Sequence, residues 1–365
     1  MKTYHAIVCV LVLLAIGTQA HAVVLYGSTS GPTSLTHELF TFDATNGAPI
    51  QDIGPLNDSG GHNYPMTGLA VNPLTGVLYG STGNSCCQKL VTINPATAQV
   101  TVVGDFNAFV TTYNQGGVIK TANTFATMAD IGFDKYGHLY GISSVGNPNL
   151  YSIDINTGQA TLIGNSGVDF LVNGGGLAIS PDGVFYSTPE NLHFGTYNPT
   201  TGVYANVTSN VYKPPANANN GYGSLDFNGN ALYAMTVALP SHLVLFDLTN
   251  PSASGNSTDV GPTVNRIDGM AFSALPGDFN FDGTVDAADY VTWRKDPNGT
   301  QAQYDAWRAH FGQPASGVGS GSALPSAGLL SATAPEPTTL AMLILAMAST
   351  PVWRRNTPRR MRRGL

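Results

Sequence analysis

The chain has 365 residues, of which 10% are charged and 42 are glycine, and its formal net charge is −7. This length allows two domains. The acidic balance argues against nucleic acid as a partner, because phosphates are bound by basic surfaces, and three cysteines are too few for a disulfide framework.

Residues 1–22 are predicted to be a secretory signal peptide. Lys2 precedes an apolar run over residues 6–16, and Ala20-His21-Ala22 matches an Ala-X-Ala cleavage site. The alternative, a membrane anchor, is disfavoured because this apolar run is short for a membrane span. The protein is therefore expected to be exported, with cleavage after Ala22.

A repeated unit follows, and it is clearest over residues 130–164. Its apolar residues fall in four short blocks separated by turn residues such as Asn156-Thr157-Gly158, a pattern typical of β-strands joined by hairpin turns. The unit recurs about five times at a spacing of roughly 40–50 residues, which is typical of β-propeller blades. Each copy carries one anchor tyrosine: Tyr26, Tyr79, Tyr140, Tyr186 and Tyr233.

The first copy lacks its opening strand. Residues 25–27, 39–43 and 50–54 supply three strands, and the missing one recurs at the far end as residues 269–274. The last strand is therefore predicted to pair into the first blade and close the ring, which removes exposed sheet edges. The sequence predicts an all-β propeller of about five four-stranded blades over residues 23–276.

Six blades are the alternative, if a long insert over residues 106–129 hides strands. The repeats resemble the irregular repeats of bacterial extracytoplasmic propellers over most of residues 23–274. This resemblance implies an architecture and no particular activity.

The predicted propeller carries no specific catalytic pattern. Its two glutamates, Glu38 and Glu190, lie in different blades, whereas a glycosidase needs two carboxylates facing each other across a sugar. Its histidines occupy different positions of the repeat, which argues against a shared metal site. Several aspartates fall at strand ends or turns, where Asp accepts hydrogen bonds from local backbone donors: Asp43, Asp134, Asp154, Asp182 and Asp247.

Cys86 and Cys87 are the cysteines that remain once the signal peptide is removed, and they lie in a turn of the second blade. Adjacent cysteines can form a strained vicinal disulfide, one of them can bridge to another chain, or both can be ordinary loop residues. The sequence leaves these alternatives open.

The most specific chemical signal is the segment 278–289, termed here the calcium loop. Calcium takes six to eight oxygen ligands, and an EF-hand loop supplies them from positions 1, 3, 5, 7, 9 and 12. Gly283 at position 6 and the apolar Val285 at position 8 complete the pattern. The predicted Ca²⁺ ligands are Asp278, Asn280, Asp282, the backbone carbonyl of Thr284, Asp286 and Asp289.

This loop resembles the calcium repeat of dockerin modules, in which position 12 is aspartate and a single helix follows. The resemblance implies a small helical module over residues 277–312, with one helix over residues 287–295. A second, degenerate half includes residues 302–309 and carries Gln303 in place of the bidentate acid. A cohesin-like module is the implied partner, and a calcium-stiffened spacer packed on the propeller is the alternative. The two helices are expected to share an aromatic core: Tyr290, Trp293, Tyr304 and Trp307.

The C-terminal segment is predicted to be a sorting address. Residues 313–334 are rich in Gly, Ser, Ala and Pro and carry no charge, as in a flexible linker. Residues 335–365 combine Pro335-Glu336-Pro337, an apolar stretch and six arginines, and resemble the PEP-CTERM signal of bacterial secreted proteins. The resemblance implies a hydrophobic transmembrane helix that an exosortase removes. A permanent anchor or a disordered basic tail are the alternatives.

Three functions are compatible with these signals. The preferred interpretation is an exported, non-enzymatic binding or scaffold protein of the cell surface or extracellular matrix. The alternatives are an enzyme that acts on extracellular polysaccharide and is tethered through its dockerin-like module, and a purely structural matrix protein. Acids clustered at one mouth of the central channel would favour the enzyme, whereas acids at turns favour binding.

Overall fold

The computed structural model describes residues 23–30, 36–83, 88–115, 117–144, 147–168, 175–189, 193–208, 221–251 and 256–313. All of them belong to one compact unit, Met1–Ala323. The predicted signal peptide, Cys86 with Cys87, and the predicted sorting signal at 335–365 lie outside the described residues. None of the helices in the described part has the length and apolar character that a bilayer crossing requires.

Five four-stranded antiparallel sheets form a β-propeller, and each sheet corresponds to one copy of the repeat. The strands of each blade follow one another from the centre of the ring outward. Blade 1 contains β22 (Ile267–Phe272), β1 (Leu25–Thr29), β2 (Glu38–Phe42) and β3 (Pro49–Pro55); blade 2 contains β4 (Met66–Val71), β5 (Leu78–Thr82), β6 (Lys89–Ile93) and β7 (Val100–Asp105); blade 3 contains β10 (Met128–Phe133), β11 (Leu139–Ser143), β12 (Leu150–Ile153) and β13 (Ala160–Gly164); blade 4 contains β14 (Gly176–Ile179), β15 (Phe185–Thr188), β16 (Phe194–Tyr197) and β17 (Tyr204–Thr208); blade 5 contains β18 (Tyr222–Asn228), β19 (Ala231–Thr236), β20 (His242–Phe246) and β21 (Ser257–Pro262).

The insert between blades 2 and 3 forms a separate hairpin. Its strands β8 (Phe109–Gln115) and β9 (Val118–Phe125) pair with each other and constitute a two-stranded sheet. The insert therefore adds a hairpin and not a sixth blade, and the ring has five blades.

The ring closes as the incomplete first repeat predicts. Strand β22 pairs antiparallel with β1, so that Ala271 lies opposite the anchor residue Tyr26 and Phe272 lies opposite Leu25. The other four anchor tyrosines occupy the equivalent second strand of their blades, β5, β11, β15 and β19. Closure is therefore confirmed, and blade 1 combines the two ends of the propeller sequence.

The hydrophobic core consists of five clusters, one between each pair of neighbouring blades. Between blades 2 and 3, for example, Tyr79 and Leu90 pack in the same cluster as Ile131 and Leu139. The remaining clusters have the same composition of aliphatic and aromatic residues from two adjacent sheets. Each blade is thus covered on both faces by its neighbours, as apolar sheet faces require.

Four of the five predicted turn aspartates accept hydrogen bonds from nearby backbone N–H groups, whereas Asp182 accepts the Ser180 hydroxyl. Asp154 accepts from the N–H of Asn156 at 2.8 Å, and this turn ends at Gly158, whose φ is +77°. A Cβ on Gly158 would lie 2.7 Å from backbone atoms of Gly104 in the outer strand of the preceding blade. The turn therefore requires glycine for its backbone conformation and for the close contact between blades. Similar local hydrogen bonds occur at Asp43, Asp134 and Asp247.

One carboxylate, that of Asp130 on β10, joins the inner strands at the centre of the ring. One of its oxygens accepts the backbone N–H groups of Leu177 on β14 and Leu225 on β18, at 2.9 and 3.1 Å. The Ser224 hydroxyl donates to the same carboxylate. Complete burial raises the pKa of Asp130 well above its usual value, against the effect of these hydrogen bonds. Inner-strand residues facing this carboxylate are small, and a Cβ on Gly68 would come within 2.4 Å of it.

Replacement of Asp130 by alanine is expected to destabilise the ring by about 2–4 kcal/mol. The change leaves two buried backbone N–H groups, those of Leu177 and Leu225, without an acceptor. Urea unfolding of the full chain measures the effect. Asp130→Asn retains one carbonyl oxygen and should lose less. Equal unfolding midpoints for wild type and Asp130→Ala would show that the carboxylate does not hold the blades together.

Candidate calcium loop and the cavity at the mouth of the propeller

Two short helices follow the ring, and local sequence defines both. Helix α1 (Ala287–Lys295) has the predicted bounds, and α2 (Gln301–His310) includes the predicted residues 302–309. Each begins with a capping box, formed by Asp286 with Asp289 in α1 and by Thr300 with Gln303 in α2. The two halves of the module therefore share their capping chemistry as well as their sequence pattern.

The expected aromatic core joins the two helices. The rings of Tyr290 and Trp307 have centroids 5.1 Å apart, as do those of Trp293 and Tyr304. The Trp307 indole N–H also donates to the backbone carbonyl of Asp286 at 2.7 Å. This core fixes α2 against the end of the calcium loop.

The calcium loop has the backbone turn that its sequence predicts. Gly283 has φ of +85°, a left-handed conformation that favours glycine. Its N–H donates to Asp278 Oδ2 at 2.9 Å, while the N–H of Asp282 donates to Asp278 Oδ1 at 3.2 Å. Val285 is fully buried, as expected for position 8. The Asp278 carboxylate at position 1 of the loop therefore holds the backbone of Asp282 and Gly283 at positions 5 and 6.

The remaining carboxylates are held by donors within the loop. Asp289 is fully buried and accepts the N–H groups of Phe279, at 2.7 Å, and Asp286, at 2.8 Å. Asp282 accepts the Thr284 hydroxyl at 2.7 Å and the side-chain amide of Asn280 at 2.8 Å. Asp286 caps α1 through its side chain.

The loop concentrates negative charge. Burial raises the pKa of Asp278 to about 6, and the nearby Asp289 and Asp282 carboxylates add to this shift by repulsion. Burial also raises the pKa of Asp289, whereas the hydrogen bond from the Thr284 side chain lowers the pKa of Asp282. A divalent cation would relieve this repulsion.

The donor set fits calcium by chemistry, since every predicted ligand is an oxygen and four are carboxylates. In the described part of the chain, however, no three acidic, histidine or cysteine side chains converge closely enough to hold a metal ion. Asp282 and Asp289 direct their oxygens at loop donors, so both would have to turn an oxygen toward a bound ion. Calcium binding by these six residues stays a prediction.

The degenerate half of the module contacts the propeller. Asp296, at the end of α1, accepts Lys135 Nζ at 2.6 Å and the Tyr136 hydroxyl at 3.1 Å. Gln303 Nε2 donates to the backbone carbonyl of Lys135 at 3.2 Å. Burial alone would raise the pKa of Asp296, but the Lys135 ammonium lowers it below its usual value. Lys135 of the propeller therefore neutralises Asp296, the acid in the degenerate half of the module.

A cavity of about 400 Å³ lies between one face of the ring and the helical module, and we term it the mouth cavity. Residues at the ends of the inner strands, including Phe133, Phe227 and Phe272, form one side. Residues between 273 and 283 and the end of α2 form the other side. The mouth cavity is therefore bounded by both the propeller and the calcium loop.

Acids line the mouth cavity, although sequence analysis placed the propeller acids at turns. Asp226, near the end of β18, accepts the N–H groups of Phe227 and Phe272, at 2.8 and 2.7 Å. Its side chain keeps some exposed surface at the cavity. The carboxyl nevertheless lies deep in the protein, and this burial raises its pKa to about 7. Asp278 and the turn residue Asp134 also line the cavity.

Three inner-strand aspartates were missed by sequence reasoning: Asp130, Asp226 and Asp268. Burial raises the pKa of Asp268 to about 6, and its carboxylate accepts the Ser30 hydroxyl at 2.7 Å. The sequence contains one signal that could have identified these residues, namely an acid inside an otherwise apolar strand. Charged residues are rarely buried without a specific role.

The stability of the propeller is expected to fall as pH rises from about 4 to 7.5. Asp226 has a pKa of about 7 in the folded chain and about 4 in the unfolded chain, so the folded state binds the extra proton. The stabilisation by this proton is complete below the unfolded-state pKa of about 4. It is lost as pH rises through the folded-state pKa of about 7. Urea unfolding at several pH values should show a smaller decline for Asp226→Asn. The exposed turn variant Asp154→Asn should keep the wild-type decline, and an equal decline in Asp226→Asn would contradict the assignment.

Removal of the Asp296 carboxylate is expected to loosen α2 from the ring. Lys135 would lose its partner, and a double-mutant cycle of Asp296→Ala and Lys135→Ala should give a coupling of about 1 kcal/mol. Hydrogen exchange of the α2 amides should accelerate in both single variants. Asp305→Ala changes an exposed acid of the same helix and should leave exchange unaltered. Unaltered exchange in Asp296→Ala would mean that other contacts hold the module in place.

No protein-family model matches the chain, and no curated protein matches it. Similar solved structures include TolB from Acinetobacter baumannii, with 14% identity, a TM-score of 0.40, and coverage of 68% of this chain and 55% of that chain. A protein of unknown function from Bacteroides thetaiotaomicron VPI-5482 has 12% identity, a TM-score of 0.43, and coverage of 68% and 65%. The PQQ-bound aldose sugar dehydrogenase from Streptomyces coelicolor has 10% identity, a TM-score of 0.36, and coverage of 66% and 82%. The chain spans less than two thirds of the first two proteins, and similarity at this level carries no statement about activity.

Proposed function

We propose that this chain is an exported, non-enzymatic binding or scaffold protein of the cell surface or extracellular matrix. The observation that carries the proposal is the position of the helical module, which lies on one mouth of a closed ring and is tied to it by Lys135 and Asp296. Ring and module together form a single concave face, which is the usual form of a ligand site.

The proposed location rests on the two ends of the sequence. Residues 1–22 supply an export signal, and residues 335–365 supply a segment that an exosortase would remove after transient membrane anchoring. Removal of both segments leaves 8 basic and 21 acidic residues, a composition suited to a calcium-containing medium and not to nucleic acid. Extracellular polysaccharide is the partner class that fits this location.

Calcium is proposed to stiffen the loop between β22 and α1. Asp278, Asn280, Asp282, Asp286 and Asp289 would supply side-chain oxygens, and Thr284 would supply its carbonyl. A cohesin-like partner would have to approach mainly through α1, where Val291 is exposed, because Asp296 and Gln303 already contact the propeller.

An enzyme acting on polysaccharide is the second candidate, and one observation favours it. Asp226 and Asp278 line the same cavity and have pKa values raised to about 7 and about 6. A raised carboxyl pKa suits a general acid at neutral pH. Against this role, each of the two carboxylates is held by two backbone N–H groups, and Asp278 is also the first predicted calcium ligand.

Calorimetric titration of the full chain with calcium is expected to show about one ion bound per chain. The double variant Asp278→Ala, Asp282→Ala should lose this binding, because it removes two of the predicted ligands. Asp305→Ala is the matched control, since it removes an exposed acid of the degenerate half and should bind calcium like wild type. Unchanged binding in the double variant would eliminate the calcium loop as the site.

A glycan array probed with the full chain, with and without calcium, tests the binding function. Retention on extracellular polysaccharides, without release of reducing ends from the retained glycan, is the expected result. Release of reducing ends that Asp226→Asn abolishes would establish the enzyme instead. Failure to bind any glycan would favour a purely structural matrix protein.

A further inference from the structure

The mouth cavity has the dimensions of a small-molecule site. Its volume of about 400 Å³ falls within the range of roughly 300–1,000 Å³ that is typical of ligand pockets. Its walls come from segments far apart in the chain, namely the ends of inner strands and the loop before α1. One side of the cavity belongs to the propeller sheets, which are rigid. The position of the other side is set by the helical module.

Five phenylalanine rings contribute to the apolar part of the lining, beside aliphatic and proline residues. Phe133, Phe227 and Phe272 come from the ring, and Phe279 and Phe281 come from the calcium loop. Phe281 is 50% exposed and has φ of +60°, a left-handed conformation that bulky residues rarely adopt. A strained backbone that presents an exposed aromatic side chain at a cavity is typical of a functional position.

The polar part of the lining combines three carboxylates, two side-chain amides and three hydroxyls with Lys135 and His310. Each oxygen of Asp226 accepts one backbone N–H and keeps one lone pair available. Asn228 and Gln313 add side-chain amides that can donate and accept. Lys135 also lines the cavity, but its ammonium is already paired with Asp296.

This combination disfavours two ligand classes. An anion would meet the Asp226 and Asp134 carboxylates, and the lysine of the lining, Lys135, is paired with Asp296. A purely apolar ligand would leave the Asp226 carboxylate without hydrogen bonds on its open side, which is costly. Burial raises the pKa of Asp226 to about 7, so near neutral pH the group is partly protonated and pairs well with hydroxyls, which both donate and accept.

We propose that the mouth cavity binds a neutral saccharide, with the apolar face of a sugar ring on Phe281 and vicinal hydroxyls on Asp226 and Asn228. This inference rests on the proposed binding function and assigns it a site and a ligand class. Asp278, Phe279 and Phe281 belong to both the calcium loop and the cavity lining. Calcium binding would therefore fix the side of the cavity that carries Phe281.

Binding of cellobiose, maltose and N,N′-diacetylchitobiose to the full chain in calcium-containing buffer tests the proposal. Saturation-transfer NMR and calorimetry should detect at least one of these neutral disaccharides. Phe281→Ala should weaken binding about tenfold through loss of the aromatic contact. Asp226→Asn should weaken it about tenfold or more through loss of one acceptor oxygen, and Asn228→Ala provides a second polar variant if Asp226→Asn does not fold.

The matched control is Phe109→Ala, which removes an exposed aromatic ring on β8 outside the cavity and should bind like wild type. The proposal is overturned if none of the disaccharides binds, if the folded cavity variants bind like wild type, or if spermidine binds more tightly than every sugar. Retention of the folded cavity variants on an array glycan at wild-type level would overturn this site while leaving the proposed function intact. Loss of all glycan binding by wild type would remove both.

Discussion

Each blade of this propeller can bury its apolar faces only against its two neighbours, so the packing is complete only when the ring is closed. Pairing of β22 with β1 supplies that closure, and the hydrogen bond from Val24 N to Ser273 Oγ joins residues 249 apart. The cluster between blades 5 and 1 contains Leu25 and Phe42 together with Met235 and Met270. Ordering such distant segments costs more loop entropy than a local hairpin does. The apolar area buried in the cluster between blades 5 and 1 offsets that cost.

The small number of blades determines what the centre of the ring can hold. Inner strands of five blades approach closely: Gly68 leaves no room for a side chain beside Asp130, and a Cβ on Gly269 would meet the backbone of Gly68. The N–H groups of Leu177 and Leu225 face this centre without a strand partner on that side. A single carboxylate satisfies both, because buried backbone donors need an acceptor. The centre therefore contains a polar connection between blades.

Local sequence was sufficient for the features that depend on neighbours in the chain. Tyrosine spacing and turns such as Asn156-Thr157-Gly158 predicted the blades, and the missing first strand predicted closure. The capping residues Asp286 and Asp289 set the start of α1. The roles of inner-strand acids could not be predicted, because the direction in which Asp226 points depends on how five sheets meet. The contact of Lys135 with Asp296 was equally inaccessible, since it joins a turn of blade 3 to a module that begins more than 100 residues later.

The order of elements along the chain links the proposed calcium site, the ring and the mouth cavity. The calcium loop begins a few residues after β22, the strand that closes the ring, and ends in α1. One end of the loop is therefore fixed by closure, and the other is fixed by the aromatic core and by the pairing of Lys135 with Asp296. An ion bound between these fixed ends would act on the few residues left to move, which include Phe279 and Phe281. Those same residues line the mouth cavity, so the physical effect of calcium on this protein would be concentrated where a ligand is proposed to bind.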